Sequence, residues 1–192
     1  MRKLMMLGLL AACNGGGIGQ KTFSPPLLHR AVAETCTADR PAYNCGQSAP
    51  MGAPVSCRLD SDCAAGSNGR CVGNAHDGCN CSYDTCSSDA DCAGGQLCDC
   101  RGTWHYGANG DNRCLPSDCR TDADCGAGGY CSPSFDPDCG AYFGVTLWRC
   151  HTDADTCVND SDCPSDGGFG PAFCGWRPEL GHWGCSVTQC AG

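Results

Sequence analysis

A seven-residue phrase, C-x-x-D-x-D-C, occurs four times in this 192-residue chain and limits its fold more than any other feature. The copies are Cys57-Arg-Leu-Asp60-Ser-Asp62-Cys63, Cys86-Ser-Ser-Asp89-Ala-Asp91-Cys92, Cys119-Arg-Thr-Asp122-Ala-Asp124-Cys125 and Cys157-Val-Asn-Asp160-Ser-Asp162-Cys163. They start roughly 30 to 40 residues apart, the period of a small repeated module. A stretched copy, Cys150-His-Thr-Asp153-Ala-Asp155-Thr-Cys157, overlaps the last. Four units follow, at 57–85, 86–118, 119–156 and 157–192, behind a shorter cap at 36–56 that holds Cys36 and Cys45.

Cysteine arithmetic sharpens the division. The chain has twenty-three cysteines, and each unit holds five. These are Cys57, Cys63, Cys71, Cys79 and Cys81, then Cys86, Cys92, Cys98, Cys100 and Cys114. The third unit has Cys119, Cys125, Cys131, Cys139 and Cys150, and the fourth Cys157, Cys163, Cys174, Cys185 and Cys190. Five sulfurs cannot pair among themselves, so every unit must send at least one outward. At least two bridges are expected to cross unit boundaries, near the junctions Cys81/Cys86, Cys114/Cys119 and Cys150/Cys157. Cys79-x-Cys81 and Cys98-x-Cys100 are too close to bridge without strain, so each member should reach a different partner.

Large aliphatic residues are scarce beyond residue 35, too few to bury a core that offsets chain entropy. Cystines must stand in for it, which places the chain in an oxidising compartment. The predicted fold class is therefore small disulfide-rich repeats: mostly loops and turns with short β-hairpins and little helix. The formal net charge of −9 excludes nucleic acid as a partner. Of 21 acidic residues only Glu34 and Glu179 are glutamates, so aspartate dominates, as suits turns rather than helices.

The N-terminus gives an address. Met1-Arg2-Lys3 and the apolar stretch Leu4 to Leu10 have the form of a secretory signal, too short to span a bilayer. Leu10-Ala11-Ala12-Cys13 resembles the bacterial lipobox. That resemblance implies a signal peptide at 1–12, cleavage before Cys13 and lipidation of its sulfur, hence an exported lipoprotein of the outer membrane or cell surface. Removing Cys13 from the thiol pool leaves an even number of cysteines. Residues 13–35 read as a flexible tether, with Asn14-Gly15-Gly16-Gly17 and Ser24-Pro25-Pro26, and with a helical turn or two over Leu27 to Glu34.

Cys119-x2-Asp122-x-Asp124-Cys125-x2-Gly128-x-Tyr130-Cys131 resembles the first half of the Dickkopf-type N-terminal cysteine-rich motif. Cys86 to Cys98 repeats it with Gly95 and Leu97 in the glycine and aromatic positions. The Asp-x-Asp-Cys element is also similar to whey-acidic-protein inhibitors, although their paired Cys-Cys is absent. The resemblance implies a disulfide-knot style and, through the second family, a hydrolase inhibitor as the alternative function.

The phrase itself has two readings. Asp60, Asp89, Asp122 and Asp160 can accept backbone N–H groups as Asx turns or N-caps that fix the loop between two cysteines. Alternatively, paired carboxylates suit calcium, with Asp136 and Asp138, or Asp160, Asp162 and Asp166, as local candidates. The turn reading is favoured and no cofactor is expected. Zinc is disfavoured because the chain has no C-x2-C pair. His76, His105, His151 and His182 form no ligand or catalytic spacing, and no nucleophile elbow is present.

The aromatics cluster around Trp104 and Tyr106, around Tyr142, Phe143 and Trp148, and around Trp176 and Trp183. They either present a binding surface or cover the disulfides as a small core, the second being favoured. The chain thus reads as a non-catalytic binding or structural module for an extracellular protein or polysaccharide. An inhibitor is the alternative and an enzyme the third reading.

Overall fold

The computed structural model describes residues 24–37, 55–74, 78–100, 111–138, 141–164 and 172–187. Within them the predicted class is met: four two-stranded antiparallel sheets, each preceded by a short 3₁₀ turn, and no long helix. The hairpins are β1 Arg70–Asn74 with β2 Gly78–Ser82, β3 Gln96–Asp99 with β4 Arg113–Pro116, β5 Cys131–Asp138 with β6 Ala141–Cys150, and β7 Ala172–Arg177 with β8 His182–Val187.

One wiring rule builds all four units. Across each ladder two cysteines stand directly opposite: Cys71 and Cys81, Cys98 and Cys114, Cys131 and Cys150, Cys174 and Cys185. Opposed residues put their side chains on the same face of a hairpin. These pairs do not bond to each other; both sulfurs meet the phrase lying on that face. The first cysteine of the phrase takes the first-strand partner (Cys57–Cys71, Cys86–Cys98, Cys119–Cys131, Cys157–Cys174). The second takes the partner opposite (Cys63–Cys81, Cys92–Cys114, Cys125–Cys150, Cys163–Cys185).

In the first and second units the cysteine left over by this rule is bonded outside its unit, as the parity argument requires. Cys100 bridges to Cys36 of the cap, and Cys79 is disulfide-bonded as well. Cys139, Cys190 and Cys45 lie outside the described residues, as do Cys13 and the signal segment. The expected crossings at the junctions are overturned. Cys81, Cys86, Cys114, Cys119, Cys150 and Cys157 all bond within their own units, because strand register already delivers each to its phrase.

Non-covalent joints connect the units. Between the first and second, the Asp84 carboxylate accepts Asn68 Nδ2 and the Asn112 N–H. Between the second and third, Leu97, Leu115, Val145 and Trp148 form an apolar cluster against Cys119 and Cys131. There the Trp148 indole N–H points to Asp99 Oδ1 at 3.3 Å. Glycine is demanded where a strand enters close to the phrase: a Cβ on Gly129 would lie 2.4 Å from the Cys125 carbonyl oxygen, and one on Gly69 1.9 Å from that of Cys63.

The tether reading of residues 13–35 needs correction from residue 24 onward. Residues 24–37 form an extended strap that crosses three phrases in reverse order. Asn159 of the fourth unit accepts from Leu27 N and donates to Pro25 O. At the third unit Arg30 N donates to Cys131 O, and Asp122 N donates to Arg30 O. At the second, Cys36 N donates to Ser87 O and Thr35 bridges Ser88. No helix forms over Leu27 to Glu34: the Arg30 carbonyl, which a helix would have offered to the Glu34 N–H, accepts from Asp122 N instead. The Arg30 guanidinium lies buried, 2.9 Å from Asp89 Oδ1, which composition alone could not reveal.

Candidate functional site: the joint between the third and fourth units

The two aspartates of each phrase divide the work. In every unit the first reaches across to the hairpin, where its Oδ1 accepts the N–H of Cys71, Cys98, Cys131 or Cys174, each at 2.9 Å. It thus acts as a strut between phrase and strand, nine to fourteen residues along the chain, and not as the local Asx turn expected of Asp60, Asp89, Asp122 and Asp160. The local role belongs to the second aspartate. Asp62 accepts from Arg58 N and Leu59 N, Asp91 from Ser87 N and Ser88 N, Asp124 from Arg120 N and Thr121 N, and Asp162 from Val158 N and Asn159 N. Bonds to the charged form stabilise it. Backbone donation from Arg58 and Leu59 therefore holds Asp62 below the usual carboxylate range, as donation from Ser87 does for Asp91 and from Arg120 and Thr121 for Asp124.

The stretched phrase at 150–157 uses the same parts differently. Asp155 performs both roles: Oδ2 accepts Thr152 N, and Oδ1 accepts Trp183 N from β8. Asp153, in the strut position, is exposed. His151 takes up the remaining capacity, with Nδ1 2.7 Å from Asp155 Oδ2. Its ring stacks on Trp183 at a centroid distance of 4.3 Å, and the Trp183 indole N–H donates to Cys150 O. Both members of the pair are almost fully enclosed, at 6% and 2% side-chain exposure. Among the described residues His151 Nε2 has no partner.

A cleft of about 590 Å³ opens beside this pair. His151 and Tyr130 line it together with Pro25 and Pro26 of the strap, Asp153 and Val158. Two walls are tied down: the strap by its hydrogen bonds to Asn159, and the third unit's turn by Cys125–Cys150. His29 supports the Tyr130 wall, packed edge-on to its ring at 5.2 Å with Nδ1 2.7 Å from Asp122 Oδ2.

The aromatic candidates separate on burial. Trp148 and Trp183 are each 2% exposed, which withdraws them from any binding face and assigns them to the interior. Trp176 is half-buried, with Arg149 5.5 Å over its ring. Tyr142 and Phe143 lie on β6 near the hairpin tip, while Trp104 and Tyr106 fall outside the described residues. Of the calcium candidates, Asp160 and Asp162 already accept backbone N–H groups, Asp136 and Asp138 lie on β5, and Asp166 falls outside the described residues. Sequence reasoning passed over the His151–Asp155 pair. Its one visible signal was the extra residue in the stretched phrase.

No family model, no curated protein and no solved structure matches this chain. Its many disulfides fit an oxidising, extracellular environment, and among the described residues no helix is long and apolar enough to cross a membrane.

Proposed function

We propose that the protein is an exported lipoprotein, anchored through Cys13, that acts at the bacterial outer membrane or cell surface as a non-catalytic binding module. The observation that carries this reading is the fastened cleft at the joint of the third and fourth units. A concave site with one wall held by the Cys125–Cys150 disulfide and the other by the strap's hydrogen bonds to Asn159 is partly formed before binding, which lowers the ordering cost of its contacts. The ligand is an extracellular protein or polysaccharide.

The test is co-sedimentation and pull-down of the mature chain with peptidoglycan, capsular polysaccharide and surface-protein extracts, using the reduced and alkylated chain as control. Saturable retention that disappears on reduction is expected. Retention no better than the control's with all three materials would overturn the reading. For the anchor, Cys13→Ser should move the protein from the membrane fraction to the soluble one, and an unchanged distribution would refute it.

A further inference from the structure

We infer that the cleft between the third and fourth units receives a primary alkylammonium group on a methylene stem, the chemistry of a lysine side chain; this rests on the binding-module reading and adds the identity of its ligand. The argument starts from an acceptor without a donor. A carboxylate only accepts, so His151 Nδ1, 2.7 Å from Asp155 Oδ2, carries the hydrogen. In the neutral tautomer the other ring nitrogen, Nε2, presents a lone pair. Among the described residues nothing donates to Nε2, although the side chain is only 6% exposed. An enclosed acceptor left unpaired is costly, and a ligand that supplies a donor recovers that cost.

Charge selects the kind of donor. Among the described residues the cleft lining includes the carboxylates of Asp153 and Asp155 and no lysine or arginine. Asp155 is fully engaged by His151, Thr152 and Trp183, whereas Asp153 is exposed and available as a counter-charge. One lone pair and one carboxylate suit a compact ammonium better than the planar fork of a guanidinium, which favours bidentate partners. Pro25, Pro26 and Val158 supply an apolar wall of the kind against which a methylene stem packs. The net charge of −9 draws basic partners toward the protein over longer range. Nε2 is shielded from bulk water, so the ammonium gains entry by shifting the strap residues, which among the described residues are held beside the cleft by the exposed hydrogen bonds of Asn159.

The experiment titrates the full mature chain with the tripeptide acetyl-Gly-Lys-Gly-amide, followed by NMR at His151, Asp153 and Trp183. Parallel titrations use the ε-acetylated peptide, the norleucine peptide, glucosamine and zinc chloride. Saturable shifts with the lysine peptide are expected, with at least a tenfold weaker response to the acetylated and norleucine forms. Asp153→Asn should weaken the lysine peptide about three- to tenfold with an unchanged melting temperature. His151→Gln should abolish the preference for lysine over norleucine. Because His151 is buried and its variant can misfold, the Asp153 variant and the peptide series each test the proposal independently. A stronger response to glucosamine than to the lysine peptide transfers the site to amino sugars and overturns the lysine assignment. Equal binding of the acetylated peptide, or a response to zinc alone, overturns the ammonium assignment altogether. Inert peptides combined with retention on an extract would sink this inference while the binding-module reading stands.

Discussion

The regular phrases and the stretched one are built from the same residue types and reach opposite ends. In a regular copy, two aspartates and two cysteines close a hairpin onto its own turn, and the bonds that make this closure stay within one unit. In the stretched copy a single aspartate does the work of two, and its long bond runs to the next unit's strand. One added residue turns a closure into a coupling. A repeat can therefore supply both its modules and their connectors, with the connector marked by its departure from the consensus.

Complete reduction tests what the two kinds of phrase share, and it carries the largest expected effect. With cystines forming most of the buried clusters of the first and fourth units, reduction should unfold all four hairpins and erase NMR dispersion throughout. Survival of any unit would show that a core independent of sulfur exists there. Before reduction, thiol titration of the denatured mature chain should find no free thiol.

Two substitutions separate closure from coupling. Asp155→Ala leaves the donors of His151, Thr152 and Trp183 without their acceptor in an enclosed site and should destabilise the protein by about 3 to 5 kcal/mol, several buried hydrogen bonds to a charged group being lost together. Amide exchange should accelerate on both sides of the joint. Asp122→Ala removes the strut to Cys131 N and the contact to His29, and about 1.5 to 3 kcal/mol should be lost, with faster exchange confined to the third unit and the strap. Denaturant titration and hydrogen exchange read both variants. A reversed order would break the assignment of the two phrases.

Acid should loosen the closures. The carboxyls of Asp62, Asp91 and Asp124 sit below their ordinary value of 3.8 when folded, so they contribute stability that is complete above that value and lost as pH falls through the lower folded value. The three turns should loosen below about pH 4, while the disulfides keep the hairpins intact. Site-resolved NMR between pH 2 and 5 checks this, and turns that loosen above pH 5 would contradict it. Calcium carries the smallest expected effect. Because the phrase carboxylates already serve backbone N–H groups, millimolar calcium should raise the melting temperature by less than a few degrees. Micromolar, stoichiometric binding in a calorimetric titration would reverse that expectation.

The parts legible in the sequence were those written in cysteine and aspartate. The class of fold, the unit starts and the outward fifth sulfur follow from spacing and parity, and Cys100 bridging to Cys36 meets that parity. The pairing rule was not legible, because it depends on Cys131 facing Cys150 across a register set by bulges and turns. Nor was the docking of the strap: Ser24-Pro25-Pro26 has the composition of a linker, and its anchors Asn159, Asp122 and Asp89 are 59 to 134 residues away. The cleft was hidden for the same reason, since a contact between distant residues leaves no periodic trace in either segment.

The direction in which the strap runs decides how the molecule would bear a load. Tension from an N-terminal lipid anchor would enter at Pro25 and reach the fourth unit first, through Asn159. From there the strap would peel bond by bond toward the second unit, past Arg30 and Thr35, and stop at the covalent Cys36–Cys100 link. Once peeled, the segment from 24 to 36 can span at most about 40 Å from its Cys36 anchor, and it swings free with no hairpin opening. The strap is in effect a short shock cord with a rigid end-stop, and unit four is where the pull is felt first.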